Sequence, residues 1–244
     1  MSQQSPPPAA PRSGPSRQRG LRRFWRDNAL SIVVFGLFLL FWVGQSIAGF
    51  KSYNEDQVDH QQRTVTYPGY LRTSHFWEAT GENWESEFLQ MGCFVILTVH
   101  LRQRGSAESN PYPDEEDGKG EAGPGGGQPP AADAPTPVQR GGFSALLYRN
   151  SLSIALLLLF LFSFAIHVVS GAEAYSQEQI EHGGQAVSAL EFLGTSQLWF
   201  QSLQNWQSEF LAIGAVVVLT ISLRQAGSSQ SKPVEAPGSQ TGDE

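Results

Sequence analysis

The sequence predicts an all-α membrane fold: four transmembrane helices from a tandem parallel repeat of a two-helix unit, with a pseudo-twofold axis along the membrane normal. Three observations predict it. Two stretches of about twenty residues without formal charge are long enough to cross a hydrocarbon core. The chain matches itself without a gap over most of its length. Arginines gather at one end of every apolar run.

Bulk composition hides this pattern. The 244 residues carry a net charge of −7 and are 16% charged, values that would suit a soluble protein. The average mixes two materials. Residues 1–19, 105–139 and 227–244 are rich in Pro, Gly, Ser, Gln and acids. Such segments cannot bury enough apolar surface to offset ordering entropy, so disorder is expected there. Between them lie the first repeat, 20–104, with spans at about 29–49 and 82–101, and the second, 140–226, with spans at about 151–171 and 204–223. All six tryptophans fall within these two blocks.

The self-match is carried by two motifs that share one offset. Asn28-Ala-Leu-Ser-Ile pairs with Asn150-Ser-Leu-Ser-Ile, and Asn83-Trp-Glu-Ser-Glu-Phe-Leu89 pairs with Asn205-Trp-Gln-Ser-Glu-Phe-Leu211. At the same offset Gly49 falls on Gly171, Tyr53 on Tyr175, Trp77 on Trp199 and Leu101-Arg-Gln on Leu223-Arg-Gln. Roughly four positions in ten are identical, far above chance for an ungapped match of this length.

The first span follows a basic lead, Arg12 to Arg26, in which Leu21, Phe24 and Trp25 interleave with Arg22, Arg23 and Arg26. That mixture suits an interfacial segment on anionic lipid rather than nucleic acid, and the span itself resembles a signal peptide ending at Ser46-Ile-Ala48. The matching segment lies mid-chain, where no signal peptide works, so no cleavage is expected. The second span is shorter. Phe88 to Leu101 is about fourteen mainly apolar residues, roughly 21 Å of helix against a core near 30 Å. Phe76, Trp77 and Trp84 extend it with the aromatics of an interfacial belt, as Leu198, Trp199 and Trp206 extend the fourth span.

Orientation follows from the basic residues. Arg102 and Arg104 follow span two, Arg140 and Arg149 precede span three, and Arg224 and Lys232 follow span four. The loop from Ala172 to Gln204 has no Lys or Arg, and Phe50 to Glu82 has only Lys51, Arg63 and Arg72. Both termini and the linker are therefore expected in the cytoplasm, with the two repeats in the same sense.

Candidate chemistry begins with the repeated motif. On a helix, Asn83, Glu87 and Gln90 share a stripe with Ser86 beside it; in the second copy the set is Asn205, Glu209 and Ser208. Counting back about twenty residues from Leu101 or Leu223 puts both glutamates roughly five residues inside the outer boundary. Two readings are open: hydrated carboxylates bonding across the bundle, or an intramembrane functional pair. In the outer loops Asp56 and His60, and Glu178 and His182, repeat an acid–histidine spacing of four, which metal ligands can use. No HExxH or Glu-x-x-His set accompanies them, so no metal is expected. His167, opposite Gln45 of the first copy, is read as a neutral histidine bonding a neighbouring helix. Gly36, Gly44, Gly92 and Gly214 are read as points of close helix approach. Cys93, among Met91, Gly92, Phe94 and Val95, is read as a small apolar residue. No nucleotide loop, nucleophile elbow, haem motif or thiol motif is present, so neither enzyme activity nor a cofactor is expected.

The repeated Asn-Trp-[Glu/Gln]-Ser-Glu-Phe-Leu motif, the Tyr-x-x-x-Gln-x-x-His approach at Tyr53 and Tyr175, and the run from Gly105 to Ser109 resemble an uncharacterised family of bacterial integral membrane proteins, a domain of unknown function. The resemblance implies a multi-pass protein of the bacterial cytoplasmic membrane with four helices, and supplies no activity.

Two function classes follow. The first is a non-enzymatic membrane protein acting on a membrane or envelope protein partner, or on a second copy of itself, through its loops and linker. The second is a small proton- or cation-coupled transporter or channel lined by Glu87, Glu209, Asn83 and Asn205. Topology is testable directly. With Cys93 replaced, cysteines at Gln61 and Gln185 should react with an impermeant reagent on intact cells, and one at Gly125 only after permeabilisation. Labelling of Gly125 from outside would reverse the arrangement.

Overall fold

Proline-free apolar runs fold into long helices. A computed structural model describes residues 23–111 and 134–242, which are helical with no strand among them. The helices are α1 (Ala29–Asp59), α2 (Tyr67–Tyr70), α3 (Ser74–His100), α4 (Thr136–Arg140), α5 (Gly142–Arg149), α6 (Ser151–Glu181), α7 (Ala189–Phe192) and α8 (Ser196–Ser222). The expected N-terminal tail, the middle of the linker, Leu21 and Arg22 lie outside the described residues. Helices α1 and α6 are 31 residues each and are long and apolar enough to cross a membrane. They run past the expected span ends at Gly49 and Gly171, because helix bonds close within the segment and Glu, Gln and Ala continue them at little cost.

The chain divides into two units, residues 1–71 and 72–244. In the first, the end of α1 is tied to the loop that follows it. Asn54 Nδ2 donates to the Val65 carbonyl at 3.0 Å, and Val65 N–H donates back to Asn54 Oδ1 at 2.8 Å. Ser46 Oγ shares a 2.6 Å bond with the Tyr67 hydroxyl. Gly49 leaves the space that the Tyr70 hydroxyl fills, and Tyr53 and Tyr70 meet with ring centres 5.7 Å apart.

The second unit makes the same contacts at the matched positions. Ser176 Oγ donates to the Val187 carbonyl at 3.1 Å and accepts from Val187 N–H at 2.9 Å. A Cβ on Gly171 would sit 2.6 Å from Phe192, and Tyr175 and Phe192 again lie 5.7 Å apart. Thr73 caps α3 by accepting from Phe76 N–H, as Thr195 caps α8 by accepting from Leu198 N–H. At α7 the cap is a reciprocal Ser188–Glu191 box. The Ser188 backbone N–H, then its hydroxyl, hold the Glu191 carboxyl below the usual range.

Within this unit α3 packs along α6 and, over a shorter stretch, against α8. Close approach is set at Gly81, where a Cβ would lie 2.7 Å from the His167 backbone nitrogen. This corrects the expectation for the glycines of this unit: among the described residues Gly214 has nothing within 4 Å, and Gly92 makes only an ordinary 3.6 Å contact with Leu156. A small residue permits approach; which faces meet is decided by what else must be buried. Phe76 and Leu198 are also corrected, from belt to interior, being buried at the first turns of α3 and α8. Leu198 joins Val168, Ala172 and Phe192 in one apolar cluster.

Composition predicts disorder for 105–139 and 227–244, yet 105–111 and 227–242 are folded, and α4 lies in the end of the linker. After α3, Gln103 N–H donates to Ser109 Oγ at 2.9 Å; after α8, Gln225 N–H donates to Ser231 Oγ at 2.8 Å. Both turns pass through a left-handed glycine, Gly105 and Gly227. The two turns are then joined. Gly105 N–H donates to Thr241 Oγ1 at 3.1 Å, and Gly242 N–H to the Ser106 carbonyl at 2.9 Å. Lys232 is buried, and its ammonium donates to the carbonyls of Ile221, Gly238 and Gln240 at 3.4, 3.2 and 3.0 Å. Polar bonds rather than apolar burial hold this clasp, which is why a compositional reading misses it.

Replacing Lys232 by Met takes the ammonium from the carbonyls of Gly238 and Gln240, while that of Ile221 keeps a bond from Arg224 Nη1 at 3.3 Å. The K232M protein should lose about 1–3 kcal/mol of stability. Limited proteolysis should cut within 227–242 well before the helices. Equal protease resistance in the two proteins would show that the lysine does not hold the clasp.

Candidate functional site

Glu85 and His167 have no exposed surface. Glu85 lies on α3, and Glu78, Glu82 and Glu85, at spacings of four and three, share one face of that helix. His167 stands on α6, with Ser163 and Gly171 one turn to either side. Gln201, Ser202 and Asn205 do the same on α8. Gly81 lies among the glutamates, and its missing side chain lets the α3 backbone come up to His167.

The polar contacts link all three helices. His167 Nδ1 is 3.1 Å from Glu85 Oε2, and Ser202 Oγ donates to Glu85 Oε1 at 2.7 Å. His167 Nε2 is 3.2 Å from Gln201 Oε1. Gln201 Nε2 donates to Glu78 Oε1 at 3.0 Å, and Asn205 Nδ2 to Glu82 Oε1 at 2.7 Å. Because the Gln201 amide nitrogen faces a carboxylate, its oxygen faces the imidazole. Both ring nitrogens thus meet acceptors. A neutral imidazole has only one N–H, so donating through both contacts takes one further proton, on the ring or on Glu85. His167 does bond to neighbouring helices, as the sequence suggests, and one of its partners is a buried carboxyl.

Burial makes this pair demanding. Taking two charges from water costs several kcal/mol each, which their attraction offsets only with good geometry and satisfied remaining lone pairs. Ser202 and Gln201 supply that satisfaction. Glu78, Glu82, Gln201 and Asn205 are only partly buried, so the cluster grades from a sealed centre to a wetter rim.

The sequence-derived candidates fall in different places. Asn205 joins the cluster through Glu82. Asn83 is exposed and donates to the Ala79 carbonyl of its own helix at 2.7 Å. Ser86 is buried but bonds back to the Asn83 carbonyl, as exposed Ser208 does to that of Asn205. Glu87 is exposed and Glu209 half-buried, close enough for their charges to interact. Gln90 Nε2 donates to the Glu209 backbone carbonyl at 3.3 Å, tying α3 to α8 there. In the outer loops His60 Nδ1 bonds the Asp56 carbonyl at 2.9 Å, and His182 Nδ1 that of Glu178 at 2.8 Å. Each histidine closes the last turn of its own helix, which accounts for the spacing of four. Among the described residues no three His, Cys, Asp or Glu side chains are placed to hold a metal ion.

Glu78, Glu82, Glu85, Gln201 and Ser202 are the residues that motif reading misses. Their signal is difference between the copies. Glu85 matches Gln207, Glu82 matches Gln204, Glu78 matches Phe200, His167 matches Gln45, and Gln201 matches Ala79. Identity between the copies draws the eye to Glu87 and Glu209, whereas the buried chemistry lies where the copies diverge.

A family model described as a domain of unknown function, DUF6766, matches residues 21–243, and the chain belongs to that family. No curated protein and no solved structure matches it.

Removing one member of the buried pair strands the other. Glu85→Ala should destabilise the protein by about 3–5 kcal/mol. Glu87→Ala, at an exposed position, should change stability by no more than about 0.5 kcal/mol. Denaturant titration of both variants in mild detergent measures the difference. Similar small losses would mean that Glu85 is not sealed against His167.

Proposed function

We propose that this is a non-enzymatic, multi-pass protein of the bacterial cytoplasmic membrane that handles a proton at the Glu85–His167 pair, as a small proton-coupled membrane protein. The observation that carries the reading is the pair itself: two fully buried ionisable groups 3.1 Å apart, between helices of which one is long and apolar enough to cross a membrane. Ionisable residues are costly at such a place and mark proton relays and substrate paths by default.

On this reading α1, α3, α6 and α8 are the four spans, in two parallel copies related by a pseudo-twofold axis. The arginine bias sets both termini, the linker and the Lys232 clasp on the cytoplasmic side. Helix α3 then starts at the outer face. Glu78 and Glu82 form the outward rim, and Glu85 with His167 lies about two turns further in. Gln201, which donates to Glu78 and faces the imidazole with its oxygen, orients the ring rather than carrying the proton, which moves between His167 and Glu85. Glu87 and Glu209, the pair singled out by the repeat, line the α3–α8 contact instead. Duplication supplies the helices, and divergence of one copy supplies the charges.

The alternative, a protein acting on a membrane or envelope partner or on a second copy, finds support in α5. Phe143, Leu146 and Leu147 form an exposed apolar stripe between Arg140 and Arg149. That surface also suits the anionic face of the bilayer, and it gives no reason to bury a histidine against a carboxylate.

Infrared difference spectra of the reconstituted protein, taken between about pH 4 and pH 9, should contain carboxyl and imidazole bands that titrate together. Glu85→Gln should remove the carboxyl band and His167→Gln the imidazole band, while the Glu87→Gln, Glu209→Gln double variant should retain both. Proton uptake by vesicles carrying a trapped pH dye should fall at least about tenfold in E85Q, a barrier change near 1.4 kcal/mol. Absence of any titrating band from the pair, or undiminished uptake in E85Q, would end this reading.

A further inference from the structure

Two shielded polar atoms beside the cluster find no hydrogen-bond partner among the described residues: Ser163 Oγ, on a residue with no exposed surface, and the Trp206 indole nitrogen. A helical serine ordinarily bonds back to a carbonyl three or four residues before it. Ser202, Ser86 and Ser208 all have acceptors, so Ser163 is out of pattern.

Helix geometry puts the two atoms in one layer. Ser163 lies four residues before His167 on α6, and Trp206 four after Ser202 on α8, so each continues the face that carries the cluster. The helices run in opposite directions, with His167 against Gln201 and Phe160 edge-on to Trp206 at 6.4 Å between ring centres. Ser163 lies between the two contacts on α6 and Trp206 at the second on α8, within about one turn of each other along the bundle. Helix α3 enters the same layer. Gly81 lies against His167 and Gly92 against Leu156, which brings the Glu85 backbone level with the Ser163 turn. The space between a hydroxyl, an indole N–H and a carboxylate is thus about one turn of helix across.

We propose that this space is a binding site for a single water molecule, which bridges Ser163, Trp206 and Glu85. The chemistry of the groups selects the ligand. An indole N–H only donates, so the ligand must accept; the carboxylate accepts, so the ligand must donate. A metal cation meets the first group badly, and an anion meets the second badly. Water satisfies all three, with the two to four partners that buried water needs. An orphaned buried polar group destabilises the fold, and the bridge removes that cost at each end. Resting on the proton-handling reading, the water is the next proton acceptor beyond Glu85 and extends the relay one turn towards the clasp. The site itself stands on the geometry alone.

The sign of a stability change decides whether the site is wet. If Ser163 holds a water, Ser163→Ala loses a bond and should lower the melting temperature by about 2–4 °C. If the site is dry, the same change removes an unsatisfied hydroxyl and raises it. Infrared spectra of the full chain in ordinary and oxygen-18 water provide the second measurement. The wild type should show a sharp O–H stretch that shifts with the isotope, and both S163A and Trp206→Phe should lack it while staying folded. A raised melting temperature in S163A, no isotope-sensitive band, or a band unchanged in both variants would each overturn the water site. The band can be present in a protein that moves no proton, so failure here and failure of the proton reading are distinguishable.

Discussion

The contact between Glu85 and His167 constrains everything around it. Neither group tolerates burial alone, so the three helices that enclose them must come together in one register. Gly81 is needed because a side chain there would push α3 off the His167 backbone. Ser202 and Gln201 are needed because each remaining lone pair and ring N–H must find a partner. The apolar cluster of Val168, Ala172, Phe192 and Leu198 then closes over the end of α6 that carries the histidine. Apolar side chains alone would accept several alignments of three long helices. A buried pair with directional bonds accepts one.

The two copies make the same loop and the same cap, and diverge in their chemistry. Asn54 and Ser176 each clamp a valine backbone from both sides, and Gly49 and Gly171 each admit an aromatic ring. These contacts need only shape and one polar atom, so either copy can make them. The carboxylates of α3 and the histidine of α6 come from different copies and meet only once. A self-matching sequence thereby produces one ionisable centre rather than two, with uncharged Gln45, Gln204 and Gln207 at the other set of matched positions.

The two ends of this bundle are held by different physics. Around Glu78 and Glu82 the helices meet through side-chain amides on carboxylates, partly open to their surroundings. At the opposite end the chain leaving α8 turns back on the chain leaving α3, and a lysine ammonium is ringed by backbone carbonyls. An ammonium donates in three directions, which suits it to gather carbonyls from separate parts of the chain. The chain leaving α8 is thereby fastened to the chain leaving α3.

The sequence by itself determined the long helices and their order. Apolar runs without proline, Thr73 and Thr195 ahead of the second helix of each copy, and glycines after their last turns are local signals, and local bonds answer them. Its repeat also prepared the matched loop contacts, since residues of like shape and polarity recur there at equal spacing. Only the tertiary structure decided which glutamates are buried. Glu85 and Glu87 stand two residues apart in one motif, on different sides of the helix, and nothing local says which side α6 will cover. Only it decided that Ser163 is sealed without a partner among the described residues, and that the polar C-terminal stretch is folded at all. Those outcomes depend on contacts between residues far apart in the chain, where a hydrogen bond or an ion pair forms only after helices have chosen their neighbours.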